Sequence, residues 1–365
     1  MIKITHVEIY RLSIKMTPFA ISSGVMNFAQ NVFIRIHTNE NIYGVGECSA
    51  FPIIVGETQD SCLLLAESFA KLWKNKNPLE IEERLNELDS FIAKNTTIKS
   101  AFDMALYDIA SKYAGVPLYQ FLGGKKKESI TDITIGIGPE KEMTAQALSF
   151  VENGASSLKV KLGDKPAKDI ERIIKIREAI GQDIPIRIDA NQGWDVEEAH
   201  LVLNAIKHQN IQFCEQPLKT YNDDYIPDLM IYGIPIMADE SCYNSQDAER
   251  LIRDKTCDYI NIKLSKSGGI KEALAIHQTA LRHNIPCMLG GMLESRLALT
   301  AMVHLAYACE NIKFFDLDTC LIGHLEDPVK DGLKFNGYTI SMENQPGIGA
   351  DIEDRYLTNY DKKTV

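Results

Sequence analysis

Five polar positions recur along the chain at an almost constant step: Lys161 in SSLKVKLG, Asp189 in IRIDANQGW, Glu215 in IQFCEQP, Asp239 in IPIMADES and Lys263 in YINIKLSKSGG. The gaps between them are 28, 26, 24 and 24 residues, the length of one strand plus one return helix in a parallel βαβ unit. Such regularity places successive carboxylates on neighbouring strands of one sheet. Three acidic donors converging on a point repel one another unless a hard cation such as Mg²⁺ lies between them. The lysines then flank a positive charge.

Strand beginnings are read near Ile133, Ser157, Pro185, Ile211, Ile234, Asp258, Ile285 and Ile312. Eight parallel strands at this spacing make a (β/α)8 barrel, whose site lies where the strands end. Period-2 alternation puts Lys159 on the same face as Lys161, with Leu158, Val160 and Leu162 toward the helices. The same parity pairs Arg187 with Asp189, Phe213 with Glu215, Met237 with Asp239 and Asn261 with Lys263 on the inner face. It also sends Asp316 and Asp318 of IKFFDLDT to the barrel mouth.

Ahead of the barrel, residues 2–15, 30–38 and 42–49 alternate like an antiparallel meander. Residues 57–73, 78–89 and 97–113 have helical apolar spacing. The predicted class is α/β, a modified TIM barrel with an α+β capping domain. Residues 1–124 form the N-terminal part of the cap, 125–327 the barrel, and 328–365 a segment returning to the cap. At 365 residues the chain suits one large barrel and a smaller domain.

A net charge of -11 argues against nucleic acid or an anionic membrane as partner, since the basic stripe that neutralises phosphates is missing. The run Lys125, Lys126, Lys127 reads as a solvated loop. No apolar stretch approaches the roughly 18 residues of a membrane span, and the alternating N-terminus is unlike a signal peptide. The expected compartment is the cytoplasm. The eight cysteines are scattered without a CxxC and read as buried free thiols. The sequence leaves homo-oligomer formation open.

A lone carboxylate at a strand end is usually a helix cap or a surface ion pair; three in succession form a metal site. An inward lysine beside a cation reads as a base whose pKa is lowered by positive neighbours. The chemistry that needs both is removal of a proton α to a carboxylate, which leaves a dianionic enediolate. Two lysines on opposite faces allow removal from one side and return from the other, inverting the stereocentre. A barrel kept only as a metal-binding or interaction protein would not need both.

With KVK, DANQ, EQP, ADES and KLSKSGG in this order, the chain resembles the enolase superfamily, in its muconate lactonizing enzyme subgroup, over essentially all 365 residues. The resemblance implies Mg²⁺ on Asp189, Glu215 and Asp239, Lys161 and Lys263 as an acid/base pair, Lys159 in support of Lys161, and Glu294 of GGMLES lining the site. Within the subgroup, the DLD of Asp316 and Asp318 looks like the DxD motif of dipeptide epimerases, which holds the free ammonium of the substrate. Substrates of cycloisomerases and o-succinylbenzoate synthases are dianionic, and two inward aspartates would repel them. The alternative is a cycloisomerase, an o-succinylbenzoate synthase or an N-acylamino acid racemase of the same subgroup using the same lysines, and either aspartate could instead cap a following helix.

Side-chain specificity in the family resides in two capping-domain loops, here about 16–30 and 51–59. Neither contains Lys or Arg, and Phe19 and Ile54 are among their apolar residues. The expectation is a small-molecule dipeptide with small or apolar side chains, of the Ala-Ala or Ala-Val kind, inverted at its C-terminal residue. The alternative is that these residues merely pack the domain interface.

Overall fold

The computed structural model describes residues 1–22 and 24–365. The N-terminal alternation builds an antiparallel sheet of strands Ile4–Ile21, Gly24–Thr38 and Tyr43–Ser49, joined on its outer edge by the last strand of the chain, Lys362–Thr364. Helices Gln59–Trp73, Ile81–Phe91 and Thr96–Tyr113 cover one face. Phe69, Trp73 and Phe102 meet there edge to face, the arrangement favoured by ring quadrupoles.

Of residues 16–30, expected as a loop, 16–21 and 24–30 form the outer half of a hairpin, and Ser23 lies outside the described residues. The ladder resumes at Phe19↔Met26 and runs to Ile21↔Gly24 after a register shift beyond Lys15. Pro18 lies inside that shift, where its missing N–H leaves no ladder bond unmade. The second expected loop, 51–59, holds a one-turn helix, Pro52–Val55, ended by Gly56 at φ 76°.

The eight barrel strands are Ile133–Ile135, Leu158–Lys161, Ile186–Asp189, Ile211–Glu215, Ile236–Ala238, Tyr259–Ile262, Cys287–Gly290 and Ile312–Asp316. They are parallel and ordered as in the sequence. Asp132 N–H donates to Phe315 O at 3.1 Å, drawing the last strand toward the first. Parity holds in the packing. Leu158, Val160 and Leu162 lie in the apolar layer under the helices, whereas Phe213, Met237 and Met288 fill the interior with Tyr259 and Phe314. That plug closes the barrel below the charged residues. Among the described residues no helix is long and apolar enough to cross a membrane.

Helix Thr96–Tyr113 lies directly on strand Tyr43–Ser49 because the strand offers glycine at the contact. A Cβ at Gly46 would stand 1.9 Å from Ala101 O. Gly46→Ala is therefore expected to cost about 2 kcal/mol or more. Gly138→Ala, whose Cβ would come no nearer than 3.9 Å to a neighbour, should stay within about 0.5 kcal/mol. Urea denaturation of the two variants measures the difference, and equal midpoints would contradict the close approach.

Candidate active site

The second, third, fourth and eighth strands, and the residues just past the fifth and sixth, deliver charged side chains to the same layer. Lys161 ends the second strand and its Nζ lies 2.5 Å from Asp189 Oδ2, with Asn191 Oδ1 at 3.1 Å. Lys159, fully buried, reaches three carboxylates: Glu215 at 2.7 Å, Asp316 at 2.7 Å and Asp189 at 3.2 Å. Lys263 follows the sixth strand and donates to Asp239 Oδ2 at 2.8 Å. The second and sixth strands are four apart in an eight-strand ring, so Lys161 and Lys263 approach the carboxylates from opposite sides.

Asp316 and Asp318 also reach this layer, both buried. Asp318 sits where a cap of the short helix Thr319–Ile322 would be, yet its side chain makes no capping bond. Oδ2 instead accepts from Thr134 N–H at 2.6 Å, across the barrel seam. Glu294 is buried behind the mouth, accepting from Ser265 Oγ at 2.9 Å and Met292 N–H at 2.5 Å. Phe19 lies over Gly136 at the end of the first strand, its ring 3.3 Å from where a Cβ would be. Ile54 meets the mouth elsewhere, its carbonyl accepting from Tyr243 OH at 2.7 Å. The two apolar residues come from different segments of the cap and pack against the same apolar cluster.

Several charged residues of the site escaped sequence reasoning. Asp132, fully buried, pairs with Arg187 at 2.8 Å. With Asp316 and Asp318 it forms a group whose nearest oxygens lie within 4.8 Å of one another. The signal was there, because parity from Thr134 turns Asp132 inward, but the first strand is only three residues long. Lys266 occupies the same motif as Lys263. Its fully buried Nζ donates to Asp239 Oδ1 at 2.7 Å and to the carbonyls of Asp239 and Asn261 at 2.5 and 2.9 Å. Glu240 accepts from Asn191 Nδ2 at 3.3 Å through one oxygen, while its buried Oε2 has no donor.

Burial raises every carboxylate in the layer, and neighbouring charge decides the outcome. For Asp189 the ammoniums of Lys161 and Lys159 overcome burial and hold it below the usual range. Lys263 and Lys266 do the same, far more strongly, for Asp239. Glu215 has less compensation: burial and then Asp189 push it up to about 7. Burial and Asp316 likewise push Asp318 to about 7. For Lys263 the direction is opposite to the expectation, since burial lowers it but Asp239 and Glu215 raise it further, well above the lysine range. The expectation counted a bound cation among the neighbours, and carboxylates alone reverse the sign.

The residues fit a hard divalent cation. Asp189, Glu215 and Asp239 offer only oxygen donors, are at most 1% exposed, and stand on successive strands. Their layer is short of positive charge. Eight buried carboxylates (Asp132, Asp189, Glu215, Asp239, Glu240, Glu294, Asp316 and Asp318) face five buried cations (Lys159, Lys161, Arg187, Lys263 and Lys266). Additional cations, whether metal or substrate ammonium, lower the energy of such a layer.

The chain matches two family profiles. The first, described as the mandelate racemase/muconate lactonizing enzyme N-terminal domain, covers residues 4–123, and the second, enolase C-terminal domain-like, covers 142–356. It is 44% identical, over 98% of both chains, to a D-Ala-D/L-Ala epimerase of Cytophaga hutchinsonii. It is 38% identical to a hydrophobic dipeptide epimerase of Enterococcus faecalis, over 94% of this chain and 96% of the relative. Its fold superimposes on the crystal structure of a dipeptide epimerase from C. hutchinsonii complexed with Mg and the dipeptide D-Ala-L-Val, with TM-score 0.97, 43% identity and complete coverage of both chains.

Lys266→Met tests the charge balance directly. Removing a buried counter-ion from Asp239 is expected to cost about 3–5 kcal/mol, read as a lowered urea midpoint. A variant as stable as the parent would show that Lys263 alone suffices.

Proposed function

The chain belongs to the mandelate racemase/muconate lactonizing enzyme family of the enolase superfamily, and from that premise we propose that it is a Mg²⁺-dependent epimerase of small or apolar dipeptides, inverting the α-carbon of the C-terminal residue. The observation that carries this reading is the placement of Lys161 and Lys263 four strands apart, each against a different member of the Asp189, Glu215, Asp239 set. Those three carboxylates hold the ion. Once bound, Mg²⁺ supplies a fixed positive charge for the substrate carboxylate as its α-proton leaves. One lysine takes that proton while the other, on the far face of the α-carbon, returns one. Which epimer each serves depends on how the substrate lies.

Asp316 and Asp318 receive the dipeptide's ammonium. Lys159 fixes Asp316 by its 2.7 Å contact, so that Asp316 presents its other oxygen. The close grouping of Asp132, Asp316 and Asp318 favours a cationic substrate end over the dianions of cycloisomerases and o-succinylbenzoate synthases, and over the uncharged acyl end of N-acylamino acids. Phe19 and Ile54 present apolar surface to the side chains, and Glu294 backs the site through Ser265. Eight free cysteines, seven of them buried, suit a reducing compartment, and we place the enzyme in the cytoplasm.

Incubation of L-Ala-L-Ala and other apolar dipeptides, in each configuration, with the enzyme and Mg²⁺ in D₂O should replace the C-terminal α-proton with deuterium and produce the epimer, followed by NMR. No exchange across the panel would overturn the reading. EDTA should abolish activity and Mg²⁺ or Mn²⁺ restore it; restoration by Zn²⁺ alone would contradict the assigned ion. Asp316→Asn should raise KM for dipeptides about 10- to 100-fold, the worth of a charge-assisted contact to an ammonium. Undiminished dipeptide turnover would point to a racemase or cycloisomerase.

A further inference from the structure

The capping sheet carries a second cluster of metal-ligating side chains that this chemistry does not use. His6 and His37 face each other across the ladder of the first two strands, just past a register shift between Ile4 and His6. Such irregularities re-aim side chains, and here the two rings stack at 4.2 Å, 4° from parallel. Glu8, two residues along on the same face, brings Oε2 to 3.2 Å from His37 Nε2. One ligand atom from each of the three lies within 4.8 Å of the others. Their side chains are partly buried, 27% exposed for His37 and 13% for Glu8, which orders them and leaves room for water.

The hydrogen bonds assign the protons. Thr5 has a single hydroxyl proton, donated to His37 O at 3.2 Å. With that proton on His37 O, the Thr5 oxygen is free to accept from His6 Nδ1 at 3.0 Å, the tautomer that leaves the lone pair on Nε2. Burial, then His37, hold His6 below the usual histidine range, so the ring is neutral. Burial raises Glu8, but Lys362 and His37 bring it below the usual carboxylate range. Ionised, it can only accept, from Tyr10 OH at 3.2 Å and from an N–H of His37. That N–H is the one proton standing between three ligands.

We propose that His6, Glu8 and His37 are a binding site for a transition-metal dication of the Zn²⁺ class, separate from the barrel mouth. Neutral His37 shifts its proton through solvent from Nε2 to Nδ1, so no net proton is lost, and the rings turn out of their stack until the ion takes two imidazole lone pairs and one carboxylate oxygen, with water completing its shell. Imidazole donors select Zn²⁺, Co²⁺ or Ni²⁺ over Mg²⁺, so the two sites sort ions by donor type. The metal joins the first two strands, and through the Glu8–Lys362 pair the C-terminal strand as well.

Untagged full-length protein, stripped with EDTA and returned to excess Mg²⁺, is titrated with Co²⁺. One equivalent should bind, with visible ligand-field bands, and Tm should rise. His6→Gln and His37→Gln, made separately, should each lose that equivalent while keeping Mg²⁺-supported activity. Asp239→Asn should retain it. No Co²⁺ bound by the parent protein in excess Mg²⁺, an equivalent that survives in both histidine variants, or one lost with Asp239→Asn would each overturn the site.

Discussion

One ammonium group holds the barrel mouth together. Lys159 Nζ, with none of its residue exposed, touches carboxylates from the third, fourth and eighth strands. A charge so far from water survives only where its partners repay the lost hydration, and here three of them do. Lys161 shares Asp189, but among the described residues Lys159 alone touches all three. Burial alone would lower Lys159, but Asp316, Glu215 and Asp189 raise it well above the lysine range. It is a buried counter-ion of the layer, two residues before Lys161 on the same strand.

The cap is fastened to that layer by carboxylates at helix ends. Asp103 of the capping helix accepts from Ile270 and Lys271 N–H, the first turn of the helix that follows the KLSKSGG loop. Glu47 accepts from Ser295 and Ala298 N–H and from Ser295 Oγ, at the start of the helix that follows Glu294. Both satisfy donors left unpaired at a helix N-terminus. The segments carrying Lys263 and Glu294 are thus each clamped from the cap side. The hairpin adds a third link, Ile137 N–H to Ala20 O at 2.9 Å, which fixes Phe19 above the first strand.

The barrel and its principal charges were legible because the two periods involved, about 25 residues between strands and two within them, survive in the sequence. Strand starts were read to within two residues, and parity placed Phe213 and Met237 inside the barrel. What stayed hidden depended on contacts between distant segments. Asp132 meets Asp316 and Asp318 only because the last strand closes on the first. Lys266 looked like a loop residue until its helical turn carried it under Asp239. Residues 16–30 read as a loop because Pro18 interrupts the alternation and the strands resume two residues out of step. The sign of the shift at Lys263 was unreadable for a different reason, since it depends on the ion as well as the chain.

The central claim is that inversion needs two bases, one on each face of the α-carbon. Lys161→Ala and Lys263→Ala, each incubated with Mg²⁺ and a single dipeptide epimer in D₂O, test it most directly by NMR at the α-proton. Neither variant should epimerise. Each should still exchange the α-proton of one epimer only, and the two should prefer opposite epimers. Epimerisation by either single variant at near the parent rate would contradict the account.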